Sequence, residues 1–324
     1  MGNKILIPLR RSGGVVLGGV VAAIIALVAI PNLDGASASA RKCEGASAAI
    51  SFISTRSGRG QIYKLDLRRP QLVTRITNLP GLVAYPTWSP DGRRMAFTWL
   101  HPGQASPGIY VAKADGSNVR LLVAQAGSPA WSPDGRLVAY TRLRQDSRGL
   151  SVVDVAKALR GRNPATRVIT RVNPGIPEEW PAWAPDGKRL AFTSQRSGTS
   201  DIWVVDVTGS HLRNLTPRQP ALDVGATWSP DGKQIIFGSD RAAGSQFGGD
   251  LYVMKADGSN VHALTSGHKE FGPAWSPDGR WIAFTSQRDG NPEIYLMRPD
   301  GTAPRRLTHQ QKDDVSPGWV GRCP

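Results

Sequence analysis

The chain has 324 residues, 40% hydrophobic and 20% charged, a composition typical of a globular protein rather than a disordered one. Its 36 glycines and 25 prolines suit many short strands and turns, and no segment after residue 40 has helical periodicity, so a mainly helical fold is excluded. The formal net charge of +15 makes an acidic partner more plausible than a basic one.

The N-terminal segment has the order of an export signal. Basic residues occur within the first eleven positions, an uncharged apolar run covers residues 13–30, and the small residues Ala-Ser-Ala-Ser-Ala follow at 36–40. As a helix the run would be about 27 Å long, slightly short of a bilayer core of about 30 Å. We therefore predict that residues 1–40 are a signal peptide, with a retained signal anchor as the alternative.

Export places the remainder of the chain, residues 41–324, in the periplasm or another extracytoplasmic compartment, touching the membrane only through residues 13–30. This part carries about +13 of the net charge, spread along the sequence rather than grouped in runs. Solubility is one explanation, and attraction to an anionic envelope polymer or an acidic protein is the other. An exported protein with scattered basic residues is not expected to bind nucleic acid.

The two cysteines, Cys43 and Cys323, stand at opposite ends of the exported part. In an oxidising compartment such a pair predicts a disulfide, and a metal-binding pair is the lesser alternative.

A five-residue motif repeats along the exported part. Trp-Ser-Pro-Asp-Gly occurs four times and Trp-Ala-Pro-Asp-Gly once, and a sixth tryptophan follows without the turn; the tryptophans are Trp88, Trp131, Trp183, Trp228, Trp275 and Trp319. They stand 43 to 52 residues apart. A period of this length with strand-like sequence inside it indicates a propeller or a solenoid.

Each period predicts four short strands joined by hairpin turns, with Asp-Gly supplying the positive φ that tight turns need. The second strand of each copy ends in an aromatic residue, which we assign to the core: Phe52, Phe97, Tyr140, Phe192, Phe237 and Phe284. A proline two residues before most of the tryptophans marks the first strand as an edge, as expected for the strand that lines a central channel.

The two ends of the repeat region complement each other. The first copy lacks a first strand, and the last copy leaves an unpaired first strand at residues 313–319. Together they make one complete blade, and such closure removes free sheet edges. The sequence therefore predicts an all-β, six-bladed β-propeller over residues 41–324, with four-stranded blades and with Cys43 and Cys323 in the blade shared by both termini.

Two loops of every blade share one face of a propeller. In the loop after the second strand, the aligned copies carry Arg56, His101, Arg144, Arg196, Arg241 and Arg288. Five residues before the tryptophan, four consecutive copies carry an acid: Glu178, Asp223, Glu270 and Asp314. The other two copies have Val83 and Ala126 there.

This arrangement has two interpretations. Arginine beside carboxylate at a repeated position can simply tie neighbouring loops together. Alternatively, the arc that lacks these acids presents basic groups to an anionic ligand or an acidic peptide. That arc also contains Trp99 and Arg142. A cation among the four acids is disfavoured because arginines lie between them, and neither a metal site nor a cofactor site is predicted.

The repeats resemble the propeller repeats of the TolB family, in Trp-Ser/Ala-Pro-Asp-Gly, the apolar-aromatic strand, Ser/Thr-x-x-Arg, Ile-Tyr and Asp-Gly. The resemblance covers about residues 49–319, and the α/β domain that precedes the TolB propeller has no counterpart in the sequence. It implies a non-enzymatic propeller of the cell envelope that binds a protein or peptide. The alternative is a lyase or hydrolase acting on an anionic polysaccharide at the channel mouth, although no catalytic acid–base pair is recognisable.

Overall fold

The structure is a computed structural model that describes residues 49–321 except 145–147, 162–165, 173–175, 218–220, 243–248 and 268. The predicted signal (1–40), Cys43 and Cys323 lie outside the described residues, and so does the predicted boundary between residues 40 and 41. The signal, the disulfide and that boundary stay predictions. Among the described residues, no helix is long and apolar enough to span a membrane.

The described chain forms twenty-four strands and one short helix. In chain order, the first seven strands are β1 (Ala49–Ser54), β2 (Gln61–Asp66), β3 (Arg69–Arg75), β4 (Leu82–Trp88), β5 (Arg94–Leu100), β6 (Gly108–Lys113) and β7 (Arg120–Ala124). Next come β8 (Ala126–Trp131), β9 (Leu137–Leu143), β10 (Arg148–Asp154), α1 (Val155–Leu159), β11 (Arg167–Val168), β12 (Glu178–Trp183), β13 (Arg189–Ser194), β14 (Asp201–Asp206) and β15 (Arg213–Asn214). The last are β16 (Asp223–Trp228), β17 (Gln234–Ser239), β18 (Asp250–Lys255), β19 (His262–Ala263), β20 (Glu270–Trp275), β21 (Ile282–Ser286), β22 (Glu293–Met297), β23 (Arg305–Arg306) and β24 (Asp314–Trp319).

These strands form six four-stranded antiparallel sheets, the blades of a propeller. Blades 2 to 6 are β4–β7, β8–β11, β12–β15, β16–β19 and β20–β23, each in sequence order from the channel outward. Blade 1 has the order β24-β1-β2-β3, in which Ile50 pairs with Trp319 and Ser54 with Asp314. The predicted six-bladed propeller and its closure by the two termini are confirmed.

The core lies between the blades. In one cluster Phe97, Met95 and Trp88 of blade 2 pack against Ile53 and Ile62 of blade 1. Five phenylalanines at the end of the second strands are fully buried, as predicted: Phe52, Phe97, Phe192, Phe237 and Phe284. Each blade thus buries its aromatic residue against a neighbour, so a single blade could not be stable on its own.

The Ser-Pro-Asp-Gly turn holds the first two strands of a blade together through its side chains. In blade 2 the Ser89 hydroxyl donates to Asp91 Oδ1 at 2.6 Å, and Asp91 Oδ1 accepts the N–H of Arg93 at 3.0 Å. Gly92 has φ +67° and closes the turn. In blade 5 the corresponding bonds from the Ser229 hydroxyl and the Lys233 N–H lower the pKa of Asp231.

The threonine at the end of the fourth strand repeats for a structural reason. Its hydroxyl accepts the N–H of the second residue of the third strand, for example Ile62 N to Thr77 Oγ1 at 2.9 Å and Ile202 N to Thr216 Oγ1 at 3.0 Å. Because Val123 cannot accept, blade 2 pairs β6 with β7 further along, to Ala124. The side chain therefore replaces one ladder hydrogen bond where the outer strand ends.

Blade 3 departs from the sequence prediction in one element. Helix α1 stands where the other blades have a tight turn, and Asp154 caps it by accepting the N–H of Lys157 at 3.0 Å. Five residues are too few to produce a visible apolar period, which is why the sequence shows no helix there.

The innermost strands contain a bulge at the residue three before the tryptophan, which we call the bulge position. Its φ is positive in all six blades: Tyr85 (52°), Ser128 (52°), Trp180 (51°), Gly225 (65°), Gly272 (61°) and Ser316 (57°). The pairing with the second strand shifts across this residue and the one that follows. In five blades that following residue is the repeated proline, so its missing N–H leaves no gap in the ladder; blade 5 has Ala226 there.

Candidate functional site

The arginine-bearing loop of blade 5 shows the arrangement that most blades share. Arg241 Nη2 donates to Asp223 Oδ2 at 2.6 Å, and its Nε donates to Ser239 Oγ at 2.9 Å. The guanidinium carbon lies 4.9 Å from the ring centroid of Tyr252, within cation–π range. Arg241 is thus fixed on three sides by its own blade.

Blades 1, 4 and 6 repeat this arrangement with Arg56–Asp314, Arg196–Glu178 and Arg288–Glu270. The four acids are fully buried and each arginine side chain is about one-fifth exposed. Burial raises the pKa of Asp314 although the Ser54 hydroxyl and Arg56 stabilise its charged form, and burial lowers the pKa of Arg196. Arginine and acid in these four blades are therefore tied to each other, as the structural interpretation expected.

Replacing Asp223 with alanine is expected to destabilise the propeller by about 2 kcal/mol, because Arg241 loses its buried partner yet can still reach solvent. Denaturant unfolding of Asp223→Ala measures the loss. A double variant that adds Arg241→Met should recover most of it. Equal losses in the single and double variants would show that the acid acts through packing alone.

Blades 2 and 3 lack this arrangement at both acid positions. Val83 and Ala126, both buried, replace the inner acids. At the start of the third strand, Gly108 and Gly149 stand where blades 4, 5 and 6 have Asp201, Asp250 and Glu293. Two adjacent blades of the mouth are thus without carboxylates at either position.

In blade 2 an aromatic cluster replaces the arginine. Trp99 occupies the serine position and His101 the arginine position, and their rings meet edge-on with centroids 5.0 Å apart. The ring centroids of Trp99 and Tyr110 are 4.7 Å apart, and the indole N–H of Trp99 donates to the carbonyl of Pro80 at 2.6 Å. Trp99 and His101 are both partly exposed.

In blade 3 three arginines occupy the same region. Arg142 stands at the serine position, is 8% exposed, and donates to the carbonyls of Arg148 (2.5 Å) and Thr170 (2.9 Å), so it holds the blade together. Arg144, at the arginine position, is exposed, and Arg148 is partly exposed. Residues 145–147, which include Asp146, lie outside the described residues. We call Trp99, His101, Arg142, Arg144 and Arg148 the basic arc.

A carboxylate marks the edge of the basic arc towards blade 4. Burial raises the pKa of Glu179, and the positive charge of Arg148 opposes the rise. Glu179 is therefore easier to protonate than an ordinary glutamate. Within the described residues, no three His, Cys, Asp or Glu side chains converge as metal ligands.

Two aromatic residues of the channel are absent from the predicted site residues. Tyr85 and Trp180 occupy the bulge position of blades 2 and 4, and their rings meet edge-on with centroids 6.5 Å apart. An alignment of the residue three before each tryptophan gives Tyr, Ser, Trp, Gly, Gly and Ser, and this contrast between small and bulky residues would have identified them.

Residues 107–270 and 248–322 match the model of the TolB beta propeller domain. This chain belongs to that family. It is 38% identical over 157 residues to the Tol-Pal system protein TolB of Bordetella pertussis, an alignment that covers 47% of this chain and 34% of that relative. The chain thus spans about a third of the length of the curated relatives that it matches.

Solved structures share the fold of this TolB-family propeller. The crystal structure of TolB from Acinetobacter baumannii has a TM-score of 0.72 at 21% identity, over 85% of this chain and 67% of that one. An oligogalacturonate lyase in complex with manganese has a TM-score of 0.51 at 15% identity, over 80% of this chain and 72% of that one. At these identities the likeness concerns the fold alone.

Proposed function

We propose that this chain is an exported, non-enzymatic scaffold of the cell envelope that binds a protein or peptide through the basic arc at the channel mouth. The observation that carries the proposal is the loss of carboxylates from both acid positions in blades 2 and 3 only. The basic arc is therefore the part of this face suited to a negatively charged partner.

The chemistry of the basic arc favours an acidic segment with at least one aromatic or aliphatic side chain. Arg144 is exposed and can contribute a bidentate contact to a carboxylate. Trp99 and His101 offer an adjacent aromatic surface, and aromatic residues beside arginine are typical of the residues that dominate binding energy in interfaces. Arg142 would support this surface from below rather than touch the partner.

The relatives add a context for this partner. The matched proteins are described as Tol-Pal system proteins, and such a description suggests that this chain also works among proteins of the envelope. The predicted export segment agrees with that location. From these relatives we infer for this chain only the class of its partner, an envelope protein.

A pull-down from envelope extract tests the proposal, with the retained proteins identified by mass spectrometry after low-salt and high-salt washes. We expect one protein to be retained in both washes and to be lost with Arg144→Glu and with His101→Ala. Arg213→Glu is the matched control, since it makes the same charge change at an exposed outer strand of blade 4. If Arg144→Glu and Arg213→Glu lose the retained protein equally, the interaction depends on net charge alone and not on the basic arc.

The alternative is an enzyme that acts on an anionic polysaccharide, whose carboxylates the arginines of the basic arc would bind. The variants used in the pull-down also distinguish the scaffold from the enzyme. Incubation of the protein with an oligogalacturonate should release no new reducing or unsaturated ends if the chain is a scaffold. Turnover that disappears in Arg144→Glu would establish the enzyme instead.

A further inference from the structure

The central channel contains a cavity of about 660 Å³, within the usual size of small-molecule sites. Its walls are the inner strands of all six blades, and it extends to the turn prolines Pro185, Pro230 and Pro277. None of the described residues that line it is charged, although the chain carries a net charge of +15. A charged ligand would lose its hydration there without gaining an ion pair, so the cavity favours a neutral one.

Two aromatic side chains project into this cavity at a conformational cost. Tyr85 and Trp180 have φ values of 52° and 51°, a region that bulky residues rarely adopt, whereas blades 5 and 6 have glycine at the same position. The rings do not simply fill the channel as a core, since Tyr85 remains 40% exposed. Strained residues at an open cavity are the type of outlier that indicates a binding role.

The backbone of the cavity wall offers few hydrogen-bond donors, so most donors of the wall are side-chain hydroxyl and indole N–H groups. Five of the six residues after the bulge position are proline, which has a carbonyl oxygen but no N–H. At the bulge position itself, the N–H groups of Ser128, Gly225 and Ser316 already donate to threonine hydroxyls of the preceding blade at 3.0–3.1 Å. The wall thus combines backbone carbonyl acceptors with side-chain hydroxyl and indole donors.

We infer that this cavity binds an uncharged saccharide. A sugar has a flat C–H face that stacks on an indole or phenol ring, and each of its hydroxyls both donates and accepts, which suits a wall of carbonyl acceptors and hydroxyl donors. Trp180 and Tyr85 are the stacking platform, and the hydroxyls of Ser128 and Ser316 lie at the same level of the channel. The site is distinct from the basic arc.

Isothermal titration with neutral trisaccharides of glucose and of N-acetylglucosamine tests the inference. At least one is expected to bind, and Trp180→Gly and Tyr85→Gly should each weaken it at least tenfold. Since glycine is native at this position in blades 5 and 6, the unfolding midpoint of both variants should be unchanged or higher. Trp281→Gln is the control: Trp281 does not line the cavity, and blade 5 has a glutamine, Gln234, at the equivalent position. This variant should bind the sugar as the unaltered protein does.

Trigalacturonate and a neutral proline-rich peptide complete the panel, and both should bind at least tenfold more weakly than the best neutral sugar. Three results would overturn the inference. They are no binding of either neutral trisaccharide, binding that Trp180→Gly leaves intact, and tighter binding of the peptide or of the charged sugar. In the last case the cavity would belong to a different class of ligand.

Discussion

A chain that ends at Lys312 is expected to lose the cooperative folding of the propeller. It lacks β24, so β1 loses the partner that pairs Ile50 with Trp319 and Ser54 with Asp314. It also lacks the ion-pair partner of Arg56 and the contact of the Trp319 indole N–H with the carbonyl of Ala274. Since a domain is stable by only about 5–15 kcal/mol, losing one strand of a closed ring should exceed that margin. Thermal unfolding followed by circular dichroism would show no sigmoidal transition.

A chain that ends at Gly321 is the matched control, since it retains all of β24. It should unfold cooperatively, unless the predicted disulfide of Cys323 carries much of the stability, in which case its midpoint falls but the transition remains. Addition of a peptide covering residues 313–321 should restore a transition to the shorter chain. A cooperative transition in the Lys312 chain without the peptide would contradict closure as the source of stability.

The repeat made the fold readable from the sequence. One residue such as Phe97 or Thr77 does not by itself indicate its place in a blade. Six aligned copies do, even though single copies differ at a position, as Val123 does at the threonine position. The closure followed from the same alignment, because the first copy lacked the strand that the last copy left over. The ion pairs of Arg56, Arg196, Arg241 and Arg288 were also predictable, since a ring places equivalent positions on one face.

Other features depend on interactions that alignment does not show. Arg142 aligns with serines, yet its long side chain turns inwards to the carbonyls of Arg148 and Thr170, because glycine at position 149 leaves room. The positive φ of Tyr85 and Trp180 is hidden because a strand pattern predicts extended backbone. The alignment marks Tyr85 and Trp180 as the bulky residues at this position, and the pairing shift across the bulge accounts for the orientation that places them in the channel lining.

Replacing Gly116 with alanine is expected to destabilise the propeller by at least about 3 kcal/mol. This glycine closes the Asp-Gly turn of blade 2 with φ +84°, and a Cβ there would overlap the carbonyl oxygen of Ile76 in blade 1. Gly209, Gly258 and Gly301 contact the preceding blade in the same way. The glycine turns between the third and fourth strands thus pack backbone against backbone between blades, so alanine must push two blades apart. Chemical denaturation of Gly116→Ala gives the loss directly.

The control isolates the packing from the backbone conformation. Gly103 also has φ +84°, but a Cβ there would meet nothing within 4 Å. Gly103→Ala should therefore cost only about 1 kcal/mol, the penalty of a left-handed conformation for an L-residue. The difference between the two variants measures how closely blades 1 and 2 approach. Equal losses would mean that the blades can separate without cost, and a ring held together by closure at β24 alone would then be the better description of this propeller.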